Sequence, residues 1–406
     1  MGSFLGLFLQ LFVVLAALAA LSASRGHATQ HPLVRGPSND TLITQQLFWE
    51  LEELARIVDI SYCVGTAGLG IQKPFQCASR CADRDFETFE LVAVSRRIWH
   101  FVSHAAWNTG PFLSDSCGYI ALSHSPVNPR LILAFRGTYS IANTIADLST
   151  IPQEYVPYPG DDDDETSDFI APRVEQTGDG EDPPPADPPK CDNCTVHTGF
   201  YSSWLNTRKV VLPHVTEALE RYPNYKLVLV GHSLGGAVAT LAGLDFKARG
   251  WNPYVTTFGE PRLGNKELNS YIDERFNITS DHAHNTFHRV THADDPVPLL
   301  PLSEWGYSMH SEEIYISKPD LPFSIADVHY CVGDEDAHCI AGSDEDKPAW
   351  GVPTRFKFWQ LFFAHRDYFW RLGLCLPGGD PKDWYDKYPK HNTGSDEDVI
   401  IEVDEL

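Results

Sequence analysis

The chain has 406 residues, 43% of them hydrophobic, enough for one large α/β domain or two small ones with a substantial core. Its 31 lysines and arginines stand against 55 aspartates and glutamates, a formal charge of −24. That balance argues against a nucleic-acid partner, which needs a basic face, and predicts repulsion from anionic membranes; an uncharged lipid surface stays open, because apolar burial drives that adsorption.

Residues 4–20 are nearly all apolar and short for a membrane span, and small residues follow. They read as a secretory signal peptide, removed near Ala23 or Ala28, so residues 1–28 are expected to be absent from the mature chain and no stable membrane span is expected. Residues 44–61 are predicted helical, with Leu47, Leu51, Leu54 and Val58 on one face. Strand-like runs lie at residues 131–135, 227–230, 254–258 and 287–291, separated by helical patterns. Val211, Val215 and Leu219 form a helical stripe before the second run, and residues 235–249 suit a helix after it. This alternation predicts an α/β fold with a mostly parallel sheet covered by helices on both faces.

Residues 160–189 interrupt the pattern with a run of acidic residues and then several prolines. So little apolar surface cannot offset the entropy of ordering, which predicts a disordered acidic insertion within one domain spanning 29–390, followed by an acidic tail at 391–406. The nine cysteines include two local pairs, Cys77/Cys81 and Cys191/Cys194, which after a signal peptide read as disulfides rather than metal ligands. Sequons at Asn39, Asn193 and Asn277 fit the same secretory route.

The most informative motif is Gly231-His232-Ser233-Leu234-Gly235, which follows an apolar strand and opens a small-residue helix. A turn so tight leaves no room for side chains at the glycine positions. It presents the Ser233 hydroxyl at the carboxyl end of the sheet, where the helix N-terminus offers unpaired N–H groups to developing negative charge. A serine hydroxyl needs a base within hydrogen-bond reach, and in this arrangement the acid and the histidine come later in the chain. Asp294 and Asp295 follow a later strand, and His292, His310, His329, His338, His365 and His391 are the downstream histidines. Spacing alone does not choose among them.

Several ordered motifs together resemble the filamentous-fungal class 3 lipases and related feruloyl esterases, over roughly residues 44–377. Phe135-Arg136-Gly137-Thr138 resembles that family's oxyanion loop, and His197-Thr198-Gly199-Phe200 its next strand–helix junction. Residues 258–265 resemble the loop after the elbow, Asp295-Pro296-Val297-Pro298 the acid motif, and Ala364-His365-Arg366-Asp367-Tyr368-Phe369 the histidine motif. The resemblance implies an α/β-hydrolase in which Ser233 is the nucleophile, Asp295 the orienting acid, with Asp294 as fallback, and His365 the base. Thr138 and Leu234 would supply the oxyanion hole, and His310 would be structural. The resemblance also implies disulfides Cys63–Cys375, Cys77–Cys81, Cys191–Cys194 and Cys331–Cys339, with Cys117 outside them. The chain departs from the family in the long acidic insertion and in the proline after the acid.

Residues 140–148 fall where the family keeps its lid, and Ile141, Ile145 and Leu148 share one helical face. Such a stripe suits a lid that rolls onto a lipid surface and exposes the serine. The expected function is therefore a secreted carboxylic-ester hydrolase, with triacylglycerol as the leading substrate, acting at a lipid–water interface without metal or organic cofactor. Feruloyl esterase, phospholipase A1 and a non-catalytic binding protein on the same fold are the alternatives. The terminal Val403-Asp404-Glu405-Leu406 resembles an endoplasmic-reticulum retention signal with valine in its first place, so secretion is the expected destination and the reticulum lumen the alternative.

Overall fold

The middle strands of the central sheet contribute alternate side chains to two separate cores. Leu131, Leu133 and Phe135, with Leu227 and Leu229, face one; Ile132 and Ala134, with Val228 and Val230, face the other. Burial on both faces explains why these runs are continuously apolar rather than alternating. The structure, a computed structural model, describes residues 41–64, 70–94, 117–138, 152–158, 190–341, 363–373 and 375. The signal-like segment, Asn39, the lid stripe Ile141, Ile145 and Leu148, the acidic insertion, His391 and the tail lie outside these residues.

In chain order the main elements are α1 (Gln45–Ile60), β1 (Phe89–Val94), β2 (Cys117–Ser123), β3 (Arg130–Arg136), β4 (Pro152–Glu154), β5 (Thr195–His197) and α2 (Thr198–Arg221). They continue with β6 (Lys226–His232), α3 (Leu234–Ala248), β7 (Tyr254–Phe258), α4 (Lys266–Phe276), β8 (Phe287–His292), β9 (Glu313–Ile316) and β10 (Val328–Tyr330), and end with the short pair β11 (Asp367–Tyr368) and β12 (Trp370–Arg371). The main sheet has the order β1-β2-β3-β6-β7-β8-β9-β10. Its middle, from β3 to β9, pairs in parallel, whereas the β1–β2, β2–β3 and β9–β10 pairs are antiparallel. This is the mostly parallel sheet that the alternating pattern predicts, in the α/β-hydrolase architecture that the resemblance implies.

Helix α1 begins where Thr44 accepts a hydrogen bond from the Leu47 N–H, a side-chain cap on an otherwise unsatisfied donor. Its buried face, including Phe48, Leu51, Leu54 and Val58, packs on one side of the sheet together with Tyr368, Phe369 and Leu372 from the end of the fold. Helices α2, α3 and α4 cover the other side with Phe200, Trp204, Val211, Leu241 and Phe276. Disulfides join Cys63 to Cys375, Cys77 to Cys81, Cys191 to Cys194 and Cys331 to Cys339, and Cys117 is buried on β2 outside them. The first of these ties α1 to the end of the fold across 312 positions of sequence. Asn193 and Asn277 are exposed.

Because β3, β6, β7 and β8 run parallel, the loops that follow them leave one edge of the sheet together. Those loops carry Gly137, Ser233, Gly259 and Asp295.

Candidate active site

The turn from β6 into α3 is as tight as its glycines require. A Cβ on Gly231 would lie 2.1 Å from the Gly235 carbonyl oxygen, and one on Gly235 would lie 2.3 Å from that of Phe135. Ser233, between them, sits at φ 58° and ψ −130°, a conformation that costs a side-chain-bearing residue about 1–3 kcal/mol. Its own N–H donates to the Phe258 carbonyl at 2.9 Å, which holds the strained turn against β7. Leu234 is the first residue of α3, so its N–H has no intrahelical acceptor. Gly137, at the end of β3, lies against the elbow: a Cβ there would come within 2.8 Å of the Ser233 Cβ. Thr138 follows, half-buried.

Asp295 and His365, 70 positions apart, are both buried and in contact. His365 Nδ1 lies 3.0 and 2.9 Å from the two carboxylate oxygens. A carboxylate only accepts, so Nδ1 carries the proton and Nε2 is left with its lone pair. That Nε2 is buried and hydrogen-bonds nothing among the described residues. The acid has further partners: the Val297 N–H donates to it at 2.9 Å, and the Tyr368 hydroxyl donates to its other oxygen. Burial alone would push the Asp295 carboxyl up; the His365 ring, the Tyr368 hydroxyl and the Val297 N–H outweigh it and hold the carboxyl below its ordinary value of 3.8. Pro296 fits this geometry by opening a short 3₁₀ turn (Val297–Leu299) whose first N–H reaches back to the acid. Asp294 is exposed, with φ 65°, and turns away from the buried cluster.

The other candidate histidines among the described residues lie apart from this pair. His292 hydrogen-bonds the Ala364 and Lys318 carbonyls, each at 2.9 Å. His310 lies 3.4 Å from the buried Glu260, which also accepts from Thr240 and Thr257. Burial would raise the Glu260 carboxyl, but His310 and the two hydroxyls hold it below its ordinary range. His329 is buried on β10 and His338 is exposed near the edge of the fold. His197 caps α2, its Nδ1 accepting from the Gly199 and Phe200 N–H groups at 3.2 and 3.4 Å.

Motif spacing did not reveal two neighbours of this cluster. The His232 ring packs against that of His365, tilted by 33° with centres 4.6 Å apart, and Tyr62 hydrogen-bonds His232 at 2.6 Å. In the sequence His232 is the variable position of the elbow motif, and Tyr62 belongs to no motif. Among the described residues no cluster of histidine, cysteine, aspartate and glutamate is placed to hold a metal ion.

Comparison with known proteins identifies the family. The family model for lipase (class 3) matches residues 132–305, from β3 past the acid. The secreted mono- and diacylglycerol lipase 2 of Gibberella zeae is 46% identical over 92% of this chain and 93% of its own. The chain belongs to the class 3 lipase family. Lipase A of Sodiomyces alcalophilus is also 46% identical, over 88% of this chain and 89% of its own. Among solved structures, the Lip2 lipase from Yarrowia lipolytica matches with a TM-score of 0.62 and 28% identity, covering 82% of this chain and 97% of that one. As a member of this lipase family the chain is a serine ester hydrolase. No helix among the described residues is long and apolar enough to cross a membrane.

Proposed function

We propose that this chain is a secreted lipase that cleaves acylglycerol esters through a Ser233–His365–Asp295 triad, with the Thr138 and Leu234 N–H groups as the oxyanion hole and residues 140–148 as a lid. The observation that carries the reading is the state of His365. Its Nδ1 is held by a buried carboxylate, and its Nε2 is sequestered from water without a hydrogen-bond partner among the described residues, next to the elbow that carries Ser233. A lone pair held that way suits a general base.

The chemistry follows from these roles. As Ser233 Oγ attacks the ester carbonyl, His365 Nε2 takes its proton, and Asp295 steadies the imidazolium that forms. The oxyanion is met by the N–H at the start of α3, which has no acceptor within the helix, and by the loop after β3, in a site already desolvated. The imidazolium then protonates the departing alcohol, and water, activated by the same ring, hydrolyses the acyl-enzyme. Relatives described as mono- and diacylglycerol lipases, from Gibberella zeae and from Penicillium camembertii, favour partial glycerides over triacylglycerol as the substrate class. Secretion, by way of a signal peptide at residues 1–28, is part of the same reading and follows those relatives' description as secreted.

Replacing Ser233 with alanine tests the core of it. The variant is expected to fold, to lose hydrolysis of dioleoylglycerol emulsion and soluble butyrate esters alike, and to escape labelling by a serine-directed phosphonate. Substantial turnover by folded Ser233→Ala rejects the assignment.

A further inference from the structure

The loop bearing His365 is held by two other imidazoles that meet consecutive carbonyls. His292 bonds the Ala364 carbonyl at 2.9 Å, and His232 Nε2 bonds the His365 carbonyl at 2.7 Å. His232 belongs to the nucleophile elbow, one position before Ser233. Its remaining nitrogen, Nδ1, lies 2.6 Å from the Tyr62 hydroxyl oxygen. Tyr62, buried in the short 3₁₀ turn (Ser61–Cys63) that follows α1, is in turn hydrogen-bonded by the Gly137 backbone N–H, on the loop after β3.

The proton positions in this chain have no freedom. A carbonyl only accepts, so His232 Nε2 must carry a hydrogen. The ring is neutral, because burial first and the neighbouring His365 ring second push its pKa down to about 3. Nδ1 is therefore an acceptor, and the Tyr62 hydroxyl must donate to it. The phenol oxygen is then left to accept from Gly137.

We propose that Tyr62 and His232 are positioning residues for catalysis, forming a one-directional hydrogen-bond chain from the Gly137 N–H through the Tyr62 hydroxyl and the His232 imidazole to the His365 carbonyl. The inference rests on the reading of Ser233 and His365 as nucleophile and base. The chain links the loop after β3, the elbow and the base loop, three segments far apart in sequence that must keep a common registry to within a fraction of an ångström. Neither residue exchanges a proton with substrate. Apolar packing is non-directional, and it limits rotation of the base loop about its own axis and a slide along it less sharply than directed bonds do. A directed chain of three hydrogen bonds between rigid rings resists both.

The test uses the full-length enzyme and a soluble butyrate ester. His232→Leu removes the donor to the base loop and is expected to lower kcat about 10- to 100-fold with KM within about twofold, because the loss is one of alignment rather than of substrate binding. His232→Gln restores a side-chain N–H near the Nε2 position and is expected to recover most of that loss. Tyr62→Phe, nearly isosteric, is expected to lower kcat about 3- to 30-fold, since the imidazole loses its fixed direction. A folded His232→Leu or Tyr62→Phe with wild-type kcat overturns the proposal. So does a His232→Gln as impaired as His232→Leu, because that would make the ring a packing element only. If Ser233→Ala remained active, the failure would lie with the assignment of the nucleophile. If Ser233→Ala is dead while Tyr62→Phe is unimpaired, the failure belongs to the positioning chain alone.

Discussion

A single methyl group at Gly259 should damage the site from behind. Gly259 follows β7 at φ +57°, in the left-handed region, and a Cβ there would lie 2.9 Å from the Tyr368 hydroxyl, 3.0 Å from an Asp295 oxygen and 3.1 Å from His365 Cε1. All three distances are below ordinary van der Waals contact, so the acid, its tyrosine and the base ring must each give way by a few tenths of an ångström. Gly259→Ala carries two costs: about 1–2 kcal/mol for a side chain in the left-handed region and about 1–3 kcal/mol for overpacking a dense core. Their sum, about 2–5 kcal/mol, corresponds to a fall of about 3–7 °C in Tm for a domain of this size. Displacing the base by part of an ångström is expected to lower kcat about tenfold or more. Gly250→Ala is the control, because Gly250 has φ +82° and nothing within 4 Å of its would-be Cβ. It should show the backbone cost alone, about 1–3 °C, with kcat unchanged. Calorimetric scans at one fixed rate, with kcat on a soluble butyrate ester, read both quantities. If the two variants melt together and Gly259→Ala keeps wild-type kcat, the close packing of the site around Gly259 is refuted.

Asp295→Asn should lower kcat on the same ester by about 10⁴-fold, because an amide in that place no longer enforces the tautomer with its lone pair on Nε2; a loss under tenfold would contradict the role given to the acid. The same variant bears on pH. The native Asp295 carboxyl is held below its ordinary 3.8, so its contribution to stability is full above that value and is lost as pH falls through the lower native pKa. Urea midpoints measured between pH 7 and pH 2.5 should fall more steeply for the wild type than for Asp295→Asn, and parallel curves would count against the shift. Replacing Cys63 and Cys375 together by serine opens a loop of 312 positions and should cost about 5 kcal/mol, lowering the urea midpoint by at least about 1 M; an unmoved midpoint would show that the packing of α1 against residues 368–372 already holds the two ends together.

The central strands, α1, α3 and the nucleophile elbow were legible from local pattern, because their information is local. Residues 227–235 state in sequence that a buried strand meets a turn with no room for side chains and then a helix, and the structure supplies the contact distances that forbid them. The antiparallel edges were less visible. β9 and β10 have four and three residues, and what makes them strands is pairing with each other and, for β9, with β8, partners that no window of sequence contains.

What the amino-acid order determined by itself was a layered α/β fold with a strained serine at the carboxyl edge of a parallel sheet, since period, strand length and glycine spacing are short-range properties of the chain. It left open which histidine and which aspartate face each other; only resemblance to a family singled out His365 and Asp295. The tertiary structure alone decided that Asp294 points to water while Asp295 is buried against His365, that His292 and His310 bond other partners, and that Tyr62 and His232 reach the base loop. Those outcomes depend on orientation between segments tens to hundreds of residues apart, and hydrogen-bond geometry at that range exists only once the two cores have closed around the sheet.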